Sequence, residues 1–260
     1  MRRRDLVCHA LHVAFFALAL RLVERPWAVA LAAAGLYFAG FLVAHDAMHG
    51  SLGLGRRAND LVLALSGALI GVAGHGARLL HLRHHARPFS EGDDEGRCGR
   101  GPLVRSLLLG PLDYARSPLL AWRKSPRRHR PRMALEAALV AALAASCLAS
   151  PKGCIALAVT VALNSTIGVW GVRLPHEPAP AVARAAERLA WLRWPVLLGV
   201  ATHEAHHAAP ALPAFALTRA WRRTLGRGPA PQARTSSYSG VLSKTARAKE
   251  QTGLTFNPCA

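Results

Sequence analysis

Five stretches nearly free of charge restrict this 260-residue chain more than any other feature: Leu6–Val23, Trp27–Ala44, Leu61–Gly74, Met133–Ser150 and Cys154–Trp170. A bilayer's hydrocarbon core takes roughly 20 helical residues. Inside it every backbone amide must be satisfied within the segment, which favours helices. A soluble helical bundle would show a polar stripe along each run, and these runs lack one. The pattern therefore predicts an all-α, polytopic membrane protein. The first two runs are separated only by Glu24, Arg25 and Pro26, and the last two only by Pro151, Lys152 and Gly153. Both pairs read as transmembrane helical hairpins. Leu61–Gly74 is shorter and contains Gly67, Gly71 and Gly74, so it is expected to be an interfacial or re-entrant helix.

The net charge of +19 is placed between the apolar runs. It sits in Arg2–Arg4, in Arg56 and Arg57, and above all in the stretch Arg123–Arg132. Basic flanks follow the positive-inside rule and favour anionic headgroups. They put both hairpin entries, both termini and the polar segments in the cytoplasm, most simply at a bacterial inner membrane. No nucleic-acid-binding motif accompanies the charge, so a nucleic-acid partner is not expected. Residues 1–225 read as one integral membrane domain, and residues 226–260 as a polar, disordered tail. The charged start with its apolar run resembles a signal peptide but is too long, and is read as a retained helix. Residues 86–132 read as a polar loop with weak helical signals. Cys8, Cys98, Cys147, Cys154 and Cys259 have no CxxC spacing and are expected as free thiols.

Eight of the 13 histidines fall in three clusters: His45 and His49; His81, His84 and His85; His203, His206 and His207. On a helix, positions i, i+3 and i+4 share one face, so each cluster aims its imidazoles at one point. A lone histidine is as well read as a satisfied polar residue. Three such spacings at the ends of apolar runs point instead to metal ligation by neutral imidazole. Eight ligands exceed what one ion takes, so a di-metal site is implied. His176, in "RLPHE", is a candidate ninth ligand. Asp46 and Glu204 each follow a candidate ligand and are expected to accept its second ring N–H. Asn164 is a further outer candidate, to hold a metal-bound water or to cap a helix interaction. "EGDDEG" (residues 91–96) reads as an exposed acidic loop. His75, His9 and His12 read as structural, and His129 as solvated.

The segments "HDAMHG", "HLRHH" and "HEAHH", together with His176, resemble the three histidine boxes of the membrane fatty-acid desaturase superfamily over roughly residues 44–213. The resemblance implies a cytosolic non-haem di-iron centre that uses O₂ as co-substrate. His45, His49, His81, His84, His85, His176, His203, His206 and His207 would be its ligands. The implied function is an oxidoreductase of lipid metabolism that desaturates or hydroxylates a fatty acyl chain in the membrane. Electrons would come from a separate donor such as a ferredoxin, for which the basic stretch Arg123–Arg132 offers a docking surface. "HDAMHG", "HLRHHARPFSEGDDEG" and "RLPHE" are also similar to bacterial carotene ketolases, which makes a carotenoid the alternative substrate. The aromatic residues expected after a ketolase's third box are replaced in "HEAHHAAPALPAFAL". A remoter reading is a histidine-rich metal transporter. Such proteins carry ligands at mid-membrane depth, whereas these clusters lie at the ends of runs.

Overall fold

The computed structural model describes residues 2–192 and 194–217, all of which belong to one compact unit, Met1–Arg223. The expected tail, residues 226–260, lies outside the described residues. Among the described residues the chain is helical and contains no strand.

α1 (Arg2–Leu22) and α2 (Pro26–Met48) form the first hairpin. Pro26 opens α2 at its first turn, where a missing N–H costs nothing. Arg4–Leu22 and Pro26–Met48 are each long and apolar enough to cross a membrane. Val7, Leu11, Phe15 and Leu18 of α1 point outward and are more than half exposed. In water such a row would be a liability, whereas against lipid tails it is solvated. The opposite side of α2 packs Tyr37, Ala44, Ala47 and Met48 with Leu63 and Ile70 into an apolar core.

The third apolar run, expected as an interfacial or re-entrant helix, is the first arm of a bent helix pair. α3 (Arg56–Leu69) and α4 (Gly74–Ala86) meet at 98°. The amide of Val72 donates to Gly67 O and that of Gly71 to Ala68 O, which is a Schellman closure. Gly71 takes φ +77° in it, a conformation that penalises any Cβ. At Gly74 a Cβ would stand 2.3 Å from Leu63 O, so only glycine lets the second arm fold back this closely. The bend keeps the end of α4 beside the end of α2.

The second hairpin departs from the expectation of two uninterrupted spans. α7 (Arg130–Cys147) starts inside the basic stretch and carries Arg130, Arg132 and Glu136, so it falls short of a span by composition. α8 (Pro151–Ser165) continues, across a 49° bend, through a π-helical turn (Gly168–Arg173) into α9 (Leu174–His176). By length and composition the described helices offer two spans, or up to four if each bent pair is one span.

The segment read as a loop is largely helical. It holds α5 (Asp94–Cys98) and the 22-residue α6 (Leu103–Lys124). Gly110, Pro111 and Pro118 in α6 are helix breakers by propensity. Tertiary contact overrides them: a Cβ at Gly110 would lie 1.8 Å from Ser165 O, so glycine is what lets α6 close on α8. α10 (Pro180–Leu189) and α11 (Pro195–Ala208) complete the unit. Leu42 of α2 packs there with Ala186, Leu198 and Phe215.

His75 is structural, as expected, and its partners are charged. Its amide donates to Glu136 Oε2 at 2.9 Å and its Nδ1 contacts Glu136 Oε1. Its Nε2 lies 3.4 Å from Asp60, which also accepts from Arg132 at 2.9 Å. This set ties α4 to α3 and α7 at the start of the histidine-bearing helix. Removing one member of a buried pair typically costs about 3 kcal/mol. Glu136→Ala should therefore lower the thermal unfolding midpoint in detergent by several degrees, and Glu136→Gln, which keeps an acceptor for the His75 amide, by less. A midpoint unchanged in Glu136→Ala would show that the pair does not hold α4.

Candidate metal centre

Four helices end at one place. His45 is in the last turn of α2, and His49 caps it. His84 and His85 are in the last turn of α4, with His81 one turn earlier. His176 ends α9. His206 and His207 are in the last turn of α11, again with a histidine, His203, one turn before. Helix C-termini carry partial negative charge and favour cations, so the backbone itself prepares the place for positive charge.

The imidazoles touch across these helices. Nε2 of His49 lies 2.9 Å from Nε2 of His81, and Nε2 of His206 lies 3.1 Å from Nε2 of His85. His176 Nε2 stands 3.0 Å from that of His84 and 2.9 Å from that of His203. The ring centroids of His45 and His206 are 4.4 Å apart. Two groups result. His45, His49, His81, His85 and His206 bring one candidate ligand atom each within 4.8 Å of one another, and His84, His176 and His207 do the same. His203 joins the second group through His176. All nine histidines singled out in the sequence are thus brought together.

The outer contacts fix which nitrogen is offered. His84 Nδ1 lies 2.8 Å from Asp93 Oδ2, and His81 Nδ1 lies 2.8 Å from Glu95 Oε1. A carboxylate there accepts a hydrogen bond from Nδ1–H and leaves the Nε2 lone pair facing the cluster. Asp93 is itself held as the N-cap of α5, accepting from Gly96 N at 2.8 Å and from Phe89 N at 2.7 Å. Burial pushes the carboxyl groups of Asp93 and Glu95 up. The hydrogen bond from His84 on Asp93, and the charge and hydrogen bond of His81 on Glu95, outweigh it and hold both below their ordinary values. The "EGDDEG" segment is therefore no exposed loop. It supplies the two carboxylates that orient the second cluster.

Asp46, Glu204 and Asn164 are not placed as expected. Adjacent helical residues face about 100° apart, so a carboxylate at i+1 cannot turn back to the ligand before it. Asp46 Oδ1 is 3.9 Å from His45 Nδ1, beyond hydrogen-bond range. Asp46 binds His9 Nε2 at 2.9 Å and the amide of Ala214, tying α1 and the segment after α11 to α2. Glu204 is exposed. The Asn164 amide accepts from Tyr37 and donates to the carbonyls of Ile70 and Thr160, so its hydrogen bonds bind α8 to α2 and α3.

The cluster fits a metal chemically. Nine donors are nitrogens and none is a thiolate, a set suited to borderline first-row metals. His45 Nδ1 and His207 Nε2 are buried without a hydrogen-bond partner among the described residues, a cost that a cation removes. Burial first, and then the neighbouring imidazoles, push His203 and His206 well below the ordinary imidazole value and His207 down to about 3. These rings are neutral at pH 7, as ligation requires. Beside the cluster lies a cavity of about 200 Å³. Phe38, Phe41 and Trp170 wall it, with Phe41 and Trp170 edge to face at 4.9 Å. Trp170 sits in the π-helical turn and donates to Leu163 O at 2.8 Å. His45, His81, His203 and His206 close the other end.

A family model described as fatty acid desaturase matches residues 25–238, a range that includes every cluster histidine. No curated protein and no solved structure matches the chain.

Two outcomes follow for the metal-free and metal-loaded chain. A ring whose native pKa is depressed costs stability wherever the unfolded chain would be protonated. The metal-free protein should thus be most stable above pH 6.5 and lose stability progressively from there toward pH 3; a melting midpoint flat between pH 8 and pH 5 would contradict this. Asp93→Asn removes the acceptor that orients His84 and should weaken metal binding about 10- to 100-fold, read by competition with a chelator.

Proposed function

The chain belongs to the fatty acid desaturase family, and from that premise we propose that it is an O₂-dependent, non-haem di-iron oxidoreductase of membrane lipids. In this reading His45, His49, His81, His85 and His206 hold one iron, and His84, His176, His203 and His207 the other. The observation that carries it is the pair of histidine groups, each drawn from helices far apart in sequence yet within ligand distance. Bound irons supply redox chemistry that activates O₂ against an unreactive C–H bond, which zinc, with no accessible second oxidation state, cannot.

The chain's own residues set the conditions for that chemistry. Asp93 and Glu95 hold the Nδ1 protons of His84 and His81, so that both rings keep one tautomer and one orientation. Phe38, Phe41 and Trp170 give an apolar chamber in which a hydrocarbon lies beside the histidines and water is excluded. Converting CH₂–CH₂ to CH=CH consumes one O₂, two electrons and two protons and yields two waters. The electrons come from a separate donor, for which a ferredoxin meeting the basic surface around Arg123–Arg132 is the proposed partner. In this reading the site faces the cytoplasm of a bacterial inner membrane, and the basic flanks support that orientation.

A fatty acyl chain is the first substrate proposed. A carotenoid ring is the second, and one observation favours it. The segment "SEGDDEG", part of the likeness to carotene ketolases, is the one that brings Asp93 and Glu95 onto the histidines. Expression in a host that makes both lipids and carotenoids, followed by lipid and pigment analysis, separates the two. A new double bond or hydroxyl in the acyl chains supports the first, a keto-carotenoid supports the second, and no change in either contradicts both. His84→Ala should abolish the product while the protein still inserts in the membrane; undiminished product from that variant would remove the second histidine group from the reaction.

A further inference from the structure

Beside the chamber lies a second, smaller cavity of about 140 Å³ whose character is opposite. Arg97, Arg100, Arg105 and Arg116 line it, and Asp113 is the one carboxylate among its described lining residues. Only Arg97 is paired with that carboxylate, at 3.2 Å. Arg100 donates one Nη2 bond to Ser90 O, while its buried Nε has no partner among the described residues. Four arginines thus line a space far larger than the roughly 10–15 Å³ that one water needs, with one carboxylate among the described lining residues. Forked guanidinium donors match the oxygens of a phosphate.

The surroundings say where that phosphate comes from. α6 exposes a row of large apolar side chains, among them Leu103, Val104, Leu108 and Leu119. Arg105 and Arg116 are about three turns apart on the same helix, and helical geometry puts both along one border of that apolar row. A helix with an apolar face bordered by arginines lies in the plane of a membrane interface, its cations at headgroup depth. Arg97, Cys98 and Asp113 also line the apolar chamber, so the basic cavity and the chamber share a wall.

We propose that the cavity formed by Arg97, Arg100, Arg105 and Arg116 binds the phosphate of an anionic phospholipid. The bound headgroup fixes α6 in the interface and so sets the mouth of the chamber at headgroup depth. This site is separate from the histidine cluster and does not depend on which reaction occurs there.

The test is a titration of the full chain in a neutral alkyl-maltoside detergent, with and without iron. Probes are dihexanoyl phosphatidylglycerol, neutral dihexanoyl glycerol and inorganic phosphate. Phosphatidylglycerol should bind at least tenfold more tightly than either other probe, and R105Q/R116Q should weaken it at least tenfold. The charge-preserving R105K/R116K keeps part of the affinity and guards against a folding defect. Arg184→Gln, an exposed arginine of α10 outside the cavity, should leave it unchanged. Inorganic phosphate binding as well as the lipid would make this a free-phosphate site and overturn the proposal. Equal weakening by Arg184→Gln would reduce it to diffuse attraction, and lipid binding that survives R105Q/R116Q while an acidic ferredoxin no longer associates would make the surface a protein dock. Either result also overturns it.

Discussion

Nine imidazoles gathered from four helices into one cluster are the constraint from which the rest of this structure follows. Each ring removed from water loses hydrogen bonds, and rings with lone pairs aimed at one another gain none in return. A cation at the centre of each group would offset that loss, as the orphaned His45 Nδ1 and His207 Nε2 indicate. The fold prepares for it twice. Four helix C-termini end at the cluster, and Asp93 and Glu95 lock His84 and His81 with their Nε2 atoms inward. A protein that needed these histidines only for packing would have no use for either feature.

Convergence of that kind is demanding for a chain with apolar helices of this length. A straight third run would carry the second cluster away from the first. The 98° break at Gly71–Gly74 returns it, and the 49° break after Ser165 brings His176 to the same place. The same breaks leave the chamber between α2, the π-helical turn and α11, with apolar walls leading to the histidines. Exposed leucines on α1 and α6 lie outside and the histidine cluster inside.

Much of this is legible in the residues themselves. HxxxH and HxxHH have only one reasonable face on a helix, so eight histidines could be named before any coordinates, with His176 as a candidate ninth, and the short, glycine-bearing third run could be read as interfacial or re-entrant. What escaped was whatever depended on long-range contact. Asp46 and Glu204 were attractive because they adjoin histidines in sequence, yet adjacency along a helix is separation in space. Asp93 and Glu95 lie outside any helix that bears histidines and looked like a solvated acidic loop. One clue was available: a chain with 33 basic and 14 acidic residues gathers four of those acids into six positions right after its second histidine cluster. α6 was hidden by Gly110, Pro111 and Pro118, whose local preferences lose to the close packing of α6 on α8.

The central claim is that the two histidine groups each hold an iron. The direct measurement is metal analysis of the purified, membrane-extracted chain, paired with iron-edge X-ray absorption to identify the ligand atoms. The account predicts about two irons per chain in a first shell dominated by nitrogen. A single metal, zinc in place of iron, or a shell in which sulfur or carboxylate oxygen replaces the imidazoles would contradict it.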